Sequence, residues 1–217
     1  MNNLENFLDT VVWGLILSEE YKNRGDIGPV IANKIETGRK NLRQIVNLLE
    51  TDHQIVDEVF EFIFNHWNDK PVQEISKTIS IFGYLDNEKA SPYIIEKLHL
   101  LANTPGEASD IFAASYTSPS QQTTGGGFVN TAAVKCISHF YNSVSNKNLA
   151  QSYLLELLEN TKPGVAQKTL IGMAGIQEAS SVLLNKVLAI ASDSDATLER
   201  GRAIELLGIW ESKSRNN

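Results

Sequence analysis

The stretch 78–102, TISIFGYLDNEKASPYIIEKLHLLA, reads as two short helices joined by a tight polar turn, and pieces of it recur later in the chain. A recurring two-helix unit constrains a fold strongly, because one such unit cannot bury its apolar faces alone. Ile79, Ile81, Phe82 and Leu85 cover a wide apolar face at helical spacing. Gly83 inside that run costs about 1 kcal/mol against alanine in a helix, which points to a close neighbouring helix. Asp86, Asn87 and Glu88 supply the turn. Ser91-Pro92 reads as an N-cap followed by a proline at the first helical position, where its missing N–H is not needed. Ile94, Ile95, Leu98 and Leu101 form the inward face of the second helix.

Residues 79–83 (ISIFG) match 171–175 (IGMAG) and 204–208 (IELLG), and the last two glycines stand 33 residues apart (208 − 175). Second helices match as well: 92–98 (PYIIEKL) and 152–158 (SYLLELL). A period in the thirties with two helices per unit signals stacked helix pairs. On these residues, roughly Val72 to Trp210, the chain resembles a divergent HEAT- or armadillo-type repeat protein. The resemblance implies an all-α fold, a right-handed α-solenoid of antiparallel helix pairs. An irregular helical bundle is the alternative that shares the pattern without stacking in register.

No stretch alternates with period two for long enough to make a strand. Helices are expected over 2–20, 30–49, 54–67, 72–84, 92–102, 147–160, 165–176, 178–191 and 196–211, with another beginning at Phe128. Gly38 is expected to bend or split the second of these. Helix 54–67 (QIVDEVFEFIFNHW) is apolar over most of its circumference, which predicts a central position. Residues 103–129 break the rhythm: they contain TSPSQQTTGGG, flexible by composition. A loop of that length inside a repeat array is usually functional or disordered. The expected organisation is one helical-repeat domain, 1–217, with this loop between halves 1–102 and 130–211. The tail SKSRNN reads as polar and frayed.

The net charge of −7 is unevenly spread. Residues 1–102 carry 16 acids and 10 Lys+Arg, whereas residues 130–217 carry 8 acids and 9 Lys+Arg. An acidic N-terminal half repels phosphate backbones and attracts basic partners, which disfavours nucleic acid. The N-terminus lacks the basic region of a signal peptide. Val11–Leu17, the apolar run near it, is far too short to span a bilayer. A single cysteine, Cys136, makes no intramolecular disulfide, and a cytoplasmic protein without a membrane partner is expected.

The sequence offers little for catalysis. His53, His66, His99 and His139 share no ligand spacing, and neither HExxH nor CxxC occurs. Cys136 and His139 lie at i and i+3, half of a dyad, but a buried thiol beside a packed histidine explains them better. Gly125, Gly126 and Gly127 precede a helix without the strand that a phosphate loop requires, and read as a hinge. Asp193-Ser194-Asp195 lacks the rest of a calcium loop and reads as a cap for the last helix. No metal or cofactor is expected.

One segment favours binding. From Gln44 to Asp69 there are six acids and no Lys or Arg, together with the densest aromatics of the chain. Charge steers encounter and buried aromatics hold complexes. Asp52, Asp57, Glu58, Glu61 and Asp69 are therefore the candidate contact residues for another, basic protein. The expected function is a non-enzymatic protein-interaction module. In its sharper form it is a toxin-neutralising immunity protein covering a basic nuclease. HEAT-like repeat proteins also include chromophore lyases and DNA base-excision enzymes. The first resemblance would draw on Glu and Tyr side chains within 84–99, and the second on Lys168, Arg200 and Arg202. A structural homo-oligomer formed through exposed solenoid ends is the third reading.

Overall fold

In the computed structural model, which describes residues 2–66, 69–103, 129–160 and 164–215, regular structure is entirely helical. Among the described residues there are ten α-helices and no strand. None of these helices is long and apolar enough to cross a membrane. The chain divides into two compact units, 1–85 and 86–217. The division falls inside the 78–102 stretch, directly after Leu85.

The first unit holds α1 (Asn2–Glu20), α2 (Pro29–Thr51), α3 (His53–Asn65) and α4 (Val72–Ser80), which continues as a 3₁₀ turn over Ile81–Tyr84. Leu8, Val11, Val12 and Ile16 of α1 face Ile35, Leu42, Ile45 and Leu49 of α2 in the core. These helices meet backbone to backbone. A Cβ on Gly14 would lie 2.6 Å from the Gly38 Cα, and one on Gly38 would lie 2.5 Å from the Gly14 Cα. Gly38 thus does not split α2, which is continuous across it. Its missing side chain lets α1 approach. Pro29 starts α2 at a position where no N–H is needed. Helix α3 is not central. It packs on α2 and α4 through Val56, Val59, Phe60, Phe62 and Ile63, while its other side meets solvent. The Phe60 ring stacks on Phe82 at 4.8 Å between centroids.

The second unit holds α5 (Pro92–Asn103), α6 (Val129–Tyr141), α7 (Lys147–Leu158), α8 (Val165–Gly172) with a 3₁₀ turn over Met173–Gly175, α9 (Ser181–Ser192) and α10 (Thr197–Arg215). Pro92 opens α5 as expected, but among the described residues the buried Ser91 hydroxyl has no hydrogen-bond partner, so it does not cap the helix. Helix α6 packs on α8 and α8 on α10, while α5 packs on α7 and α7 touches α9. Eleven of the thirteen residues of α6 are buried. A Cβ on Gly172 of α8 would lie 2.5 Å from Val134 Cβ, so these two helices are also in close approach. Gly164 takes the left-handed conformation (φ 78°) that starts α8, which only glycine adopts freely.

The connecting turns of this unit are bonded in series. Glu88 accepts from Val144 N (2.8 Å), and from Ser145 N and Oγ. These donors hold its carboxyl below the ordinary carboxylate range, the Val144 N–H foremost. Asn146 Nδ2 donates to the carbonyls of Asn87 (2.9 Å) and Ala90 (3.0 Å). Asn142 reaches the other way: it donates to Gly175 O and accepts from Gln177 N at 2.9 Å. Lys213 Nζ then donates to Ala174 O (2.7 Å) and Ile176 O (3.0 Å). That anchor explains why residues 212–215 are helical rather than frayed. Asp193 closes the turn between α9 and α10, where its carboxylate accepts from Asp195 N (2.9 Å).

The aliphatic-glycine likeness is partly structural. Both 79–83 and 171–175 run from α-helix into a 3₁₀ turn, whereas 204–208 lies within continuous α-helix. Of the motif glycines, Gly175 and Gly208 make no close approach: a Cβ on either would meet nothing among the described residues within 4 Å.

Candidate functional site

Helix α3 sorts its side chains by sequence spacing. Val56, Val59, Phe60 and Ile63 turn into the first unit, and Asp57 and Glu61 turn out. Glu58, one position round from Asp57, is half-buried and accepts from Gln54 Nε2 at 3.0 Å. The N-terminal end of α1 lies beside this helix. A small open cleft of about 120 Å³ forms there, lined by Leu4, Glu5, Glu58, Glu61, Phe62, Asn65 and His66. Three carboxylates from two helices therefore border an apolar floor.

Lys70 stands near two of these residues, Glu5 and Phe62. Its Nζ lies 2.8 Å from Asp9 Oδ1 and 4.0 Å from Glu5 Oε1, and 5.3 Å from the centroid of the Phe62 ring. His66 Nε2 is 3.7 Å from Glu5 Oε1, and its ring tilts against Phe62 at 4.7 Å. A cation over an aromatic face beside carboxylates is held by ring quadrupole and charge together.

Of the five candidate contact residues, Glu58 and Glu61 line the cleft, and Asp57 is exposed on the neighbouring strip of α3. Asp52 is the N-cap of α3, accepting from Gln54 N at 2.9 Å, and its role there is local. Asp69 is exposed in the turn after α3. Sequence reading missed Glu5 and Leu4, which lie more than fifty positions away and join only by packing. The i, i+4 placement of Glu5 and Asp9 on α1 was visible, but nothing in the chain names α3 as its neighbour. Phe64, on the same acidic helix, is 46% exposed.

A second polar group forms in the other unit. His99 of α5 is buried and stacks on Tyr153 of α7, with centroids 4.1 Å apart. Asn103 Nδ2 lies 2.9 Å from His99 Nε2, and Asn160 Nδ2 donates to Asn103 Oδ1 at 2.6 Å. With Asn103 as donor, the ring is the neutral tautomer carrying its proton on Nδ1. Burial pushes the His99 pKa down, against the opposing pull of Glu156 and Glu96. Glu156 Oε1 stands 3.5 Å from the same Nε2. This arrangement ties α5 to α7.

The remaining sequence candidates divide plainly. Cys136 is buried on α6, with His139 half-buried one turn on. Among the described residues no three His, Cys, Asp or Glu side chains stand close enough together to hold a metal ion. Gly125, Gly126, Gly127 and most of 103–129 lie outside the described residues. No protein-family model matches the chain, and no curated protein matches it.

Proposed function

We propose that this chain is a non-enzymatic protein-binding module whose docking surface is the acidic face of α3 and the cleft beside it, and whose partner is a basic protein. The observation that carries the reading is the cleft, where Glu5, Glu58 and Glu61 converge around Leu4 and Phe62. An arginine or lysine stem packs on such a floor while its head meets the carboxylates. Lys70, set over Phe62 and beside Glu5, is an internal example of that contact. Exposed Phe64 supplies an aromatic anchor on the same helix. The N-terminal net charge of −6 steers a basic partner toward this half of the chain.

The scaffold belongs to this proposal as a HEAT-like α-solenoid. Two features of the second unit support it: the rows α6–α8–α10 and α5–α7–α9, and the serial bonding of turns 86–90, 142–146 and 174–177. A toxin-neutralising protein that covers a basic nuclease is one form the module takes.

The test is an affinity pull-down at low salt with mass spectrometry, repeated with Asp57→Lys, Glu58→Lys and Glu61→Lys combined. The expected result is one basic protein retained by the wild type and released by the triple variant, whose circular dichroism is unchanged. Retention unaffected by the triple variant removes the surface from α3. A wild type that retains no basic protein overturns the reading.

A further inference from the structure

Opposite charges separate along the first unit. Residues 22–43 carry six Lys+Arg and two acids, whereas residues 44–69 carry six acids and no Lys or Arg. Three of those cations gather on one side of α2. The buried stripe of this helix is Ile35, Gly38, Leu42, Ile45 and Leu49. At about 100° per residue, Arg39, Lys40 and Arg43 fall together in an arc outside that stripe, and all three are exposed. Two acids share the arc at its ends. Glu36 and half-buried Glu50 stand seven residues before and after Arg43 (43 − 36 and 50 − 43).

Cations elsewhere on the surface are paired: Lys77 with Glu19, Lys186 with Glu159, Arg202 with Glu205. The side chains of Lys40 and Arg43 make no hydrogen bond, ion pair or ring contact among the described residues. Arg39 donates to Ser18 Oγ at 3.1 Å, a neutral acceptor. Glu36 precedes Lys40 by four residues, the favourable order for a helix ion pair, yet the two are not joined. Arg39 and Arg43 are like charges at i and i+4, an arrangement that weakens a helix by itself. Packing within the chain therefore leaves this positive charge uncompensated.

We infer that the Arg39–Lys40–Arg43 strip of α2 docks an acidic helix of another protein, with carboxylates spaced at i and i+4. Charge complementarity and pitch select that occupant. Arg39 and Arg43 stand one turn apart, about 6 Å along the axis. Carboxylates at i and i+4 on a facing helix repeat at the same interval, and each guanidinium takes one of them through two parallel hydrogen bonds. Exposed Gln44 and Asn47 supply uncharged amides beside them. Glu36 and Glu50 exclude a continuous polyanion. Duplex DNA carries a charge about every 1.7 Å and would run from the strip onto a carboxylate at either end, whereas a helix places its acids only where cations meet them. An anionic bilayer fits no better, because surface-lying helices bury an apolar face and this arc has none. The strip is separate from the acidic face of α3, and the inference does not depend on that reading.

Fluorescence anisotropy at low salt, with the full chain and two labelled alanine-based peptides, tests it. One peptide is helical with glutamates at i and i+4, and the other has the same composition with the glutamates adjacent. Saturable binding of the first is expected, weakened about tenfold or more by Lys40→Gln combined with Arg43→Gln. Both positions are exposed, so the helical circular dichroism stays unchanged. Arg43→Lys keeps the charge but loses the fork and weakens binding less than the double variant. Lys34→Gln removes an exposed cation from the other side of α2 and leaves the affinity within about twofold. No saturation up to about 1 mM overturns the inference, as does a Lys34→Gln loss equal to that of the double variant. Equal affinity for the two peptides overturns the i, i+4 spacing. Tighter binding of a DNA oligonucleotide of equal charge overturns the acidic helix as occupant.

Discussion

Helices α3 and α6 are both thirteen residues long, and their surroundings are opposite. Helix α3 (HQIVDEVFEFIFN) carries seven large aliphatic or aromatic side chains, yet five of its residues are buried and Phe64 projects into solvent. Helix α6 (VNTAAVKCISHFY) includes Asn130, Thr131 and Ser138, and all three are buried. Small side chains explain the reversal. Ala132, Ala133, Cys136 and Ser138 leave α6 slender, so α5, α7 and α8 approach it from three sides. Bulky residues on α3 fill one interface and hold other helices off. How many neighbours a helix collects depends on how closely they can come as well as on how apolar it is.

The sharpest way to break the comparison is to truncate one phenylalanine on each helix. Phe140→Ala on α6, at a site with no exposure, is expected to cost about 3–5 kcal/mol. Phe64→Ala on α3 is expected to stay within about 0.5 kcal/mol. Urea unfolding of both variants measures the difference. Equal losses would mean that α3 is as deeply packed as α6.

Close approach around α6 gives the next effect. Gly172→Ala drives a methyl into Val134 and should destabilise by about 1–3 kcal/mol, although alanine is the better helix former. A neutral or stabilising result in thermal unfolding would show that α8 and α6 can part at little cost.

Acid should loosen the second unit through His99. Burial holds its folded pKa below the ordinary value of 6.5, so the unfolded chain takes up that proton first. Stability then rises with pH through this window and falls as pH drops from about 7 toward 5, by at most about 1.4 kcal/mol per pH unit for one proton. Protonated Nε2 would also face the Asn103 amide donor and favour Glu156. Denaturant midpoints across that range should fall more steeply for the wild type than for His99→Gln. Parallel slopes would remove His99 as the cause.

The smallest effect concerns the buried hydroxyls of α6. Among the described residues Ser138 Oγ and Thr131 Oγ1 have no hydrogen-bond partner, and an unmade bond in the interior carries a desolvation penalty. Ser138→Ala should be neutral or stabilising by up to about 1 kcal/mol. A loss of similar size would reveal a bonded hydroxyl.

Periodicity made most helices legible, and it made the inward residues Ile79, Ile81, Phe82, Ile94, Ile95 and Leu98 legible with them, all of them buried. Local chemistry also placed Pro92 at a helix start. The likeness of 92–98 and 152–158 carries through to burial, since Ile94 and Leu154, and Leu98 and Leu158, are buried alike on the packed helices α5 and α7. These are properties of spacing along one chain, which backbone geometry converts directly into faces. Of the candidate site, the acids of α3 were legible for the same reason.

Other features depended on partners distant in sequence. Gly38 reads alone as a weak point in a helix and becomes a contact only when Gly14 lies against it. Lys213 reads as part of a fraying tail until the carbonyls of Ala174 and Ile176 accept its protons. Glu5 joins Glu58 and Glu61 only because α1 returns alongside α3. The sequence by itself determined the helices, their inward faces and the acidic strip, since each follows from neighbours within a few residues. The tertiary structure decided which helix is enclosed, which glycines matter and where the cleft opens, because steric fit and charge act through space between segments that the chain order does not pair.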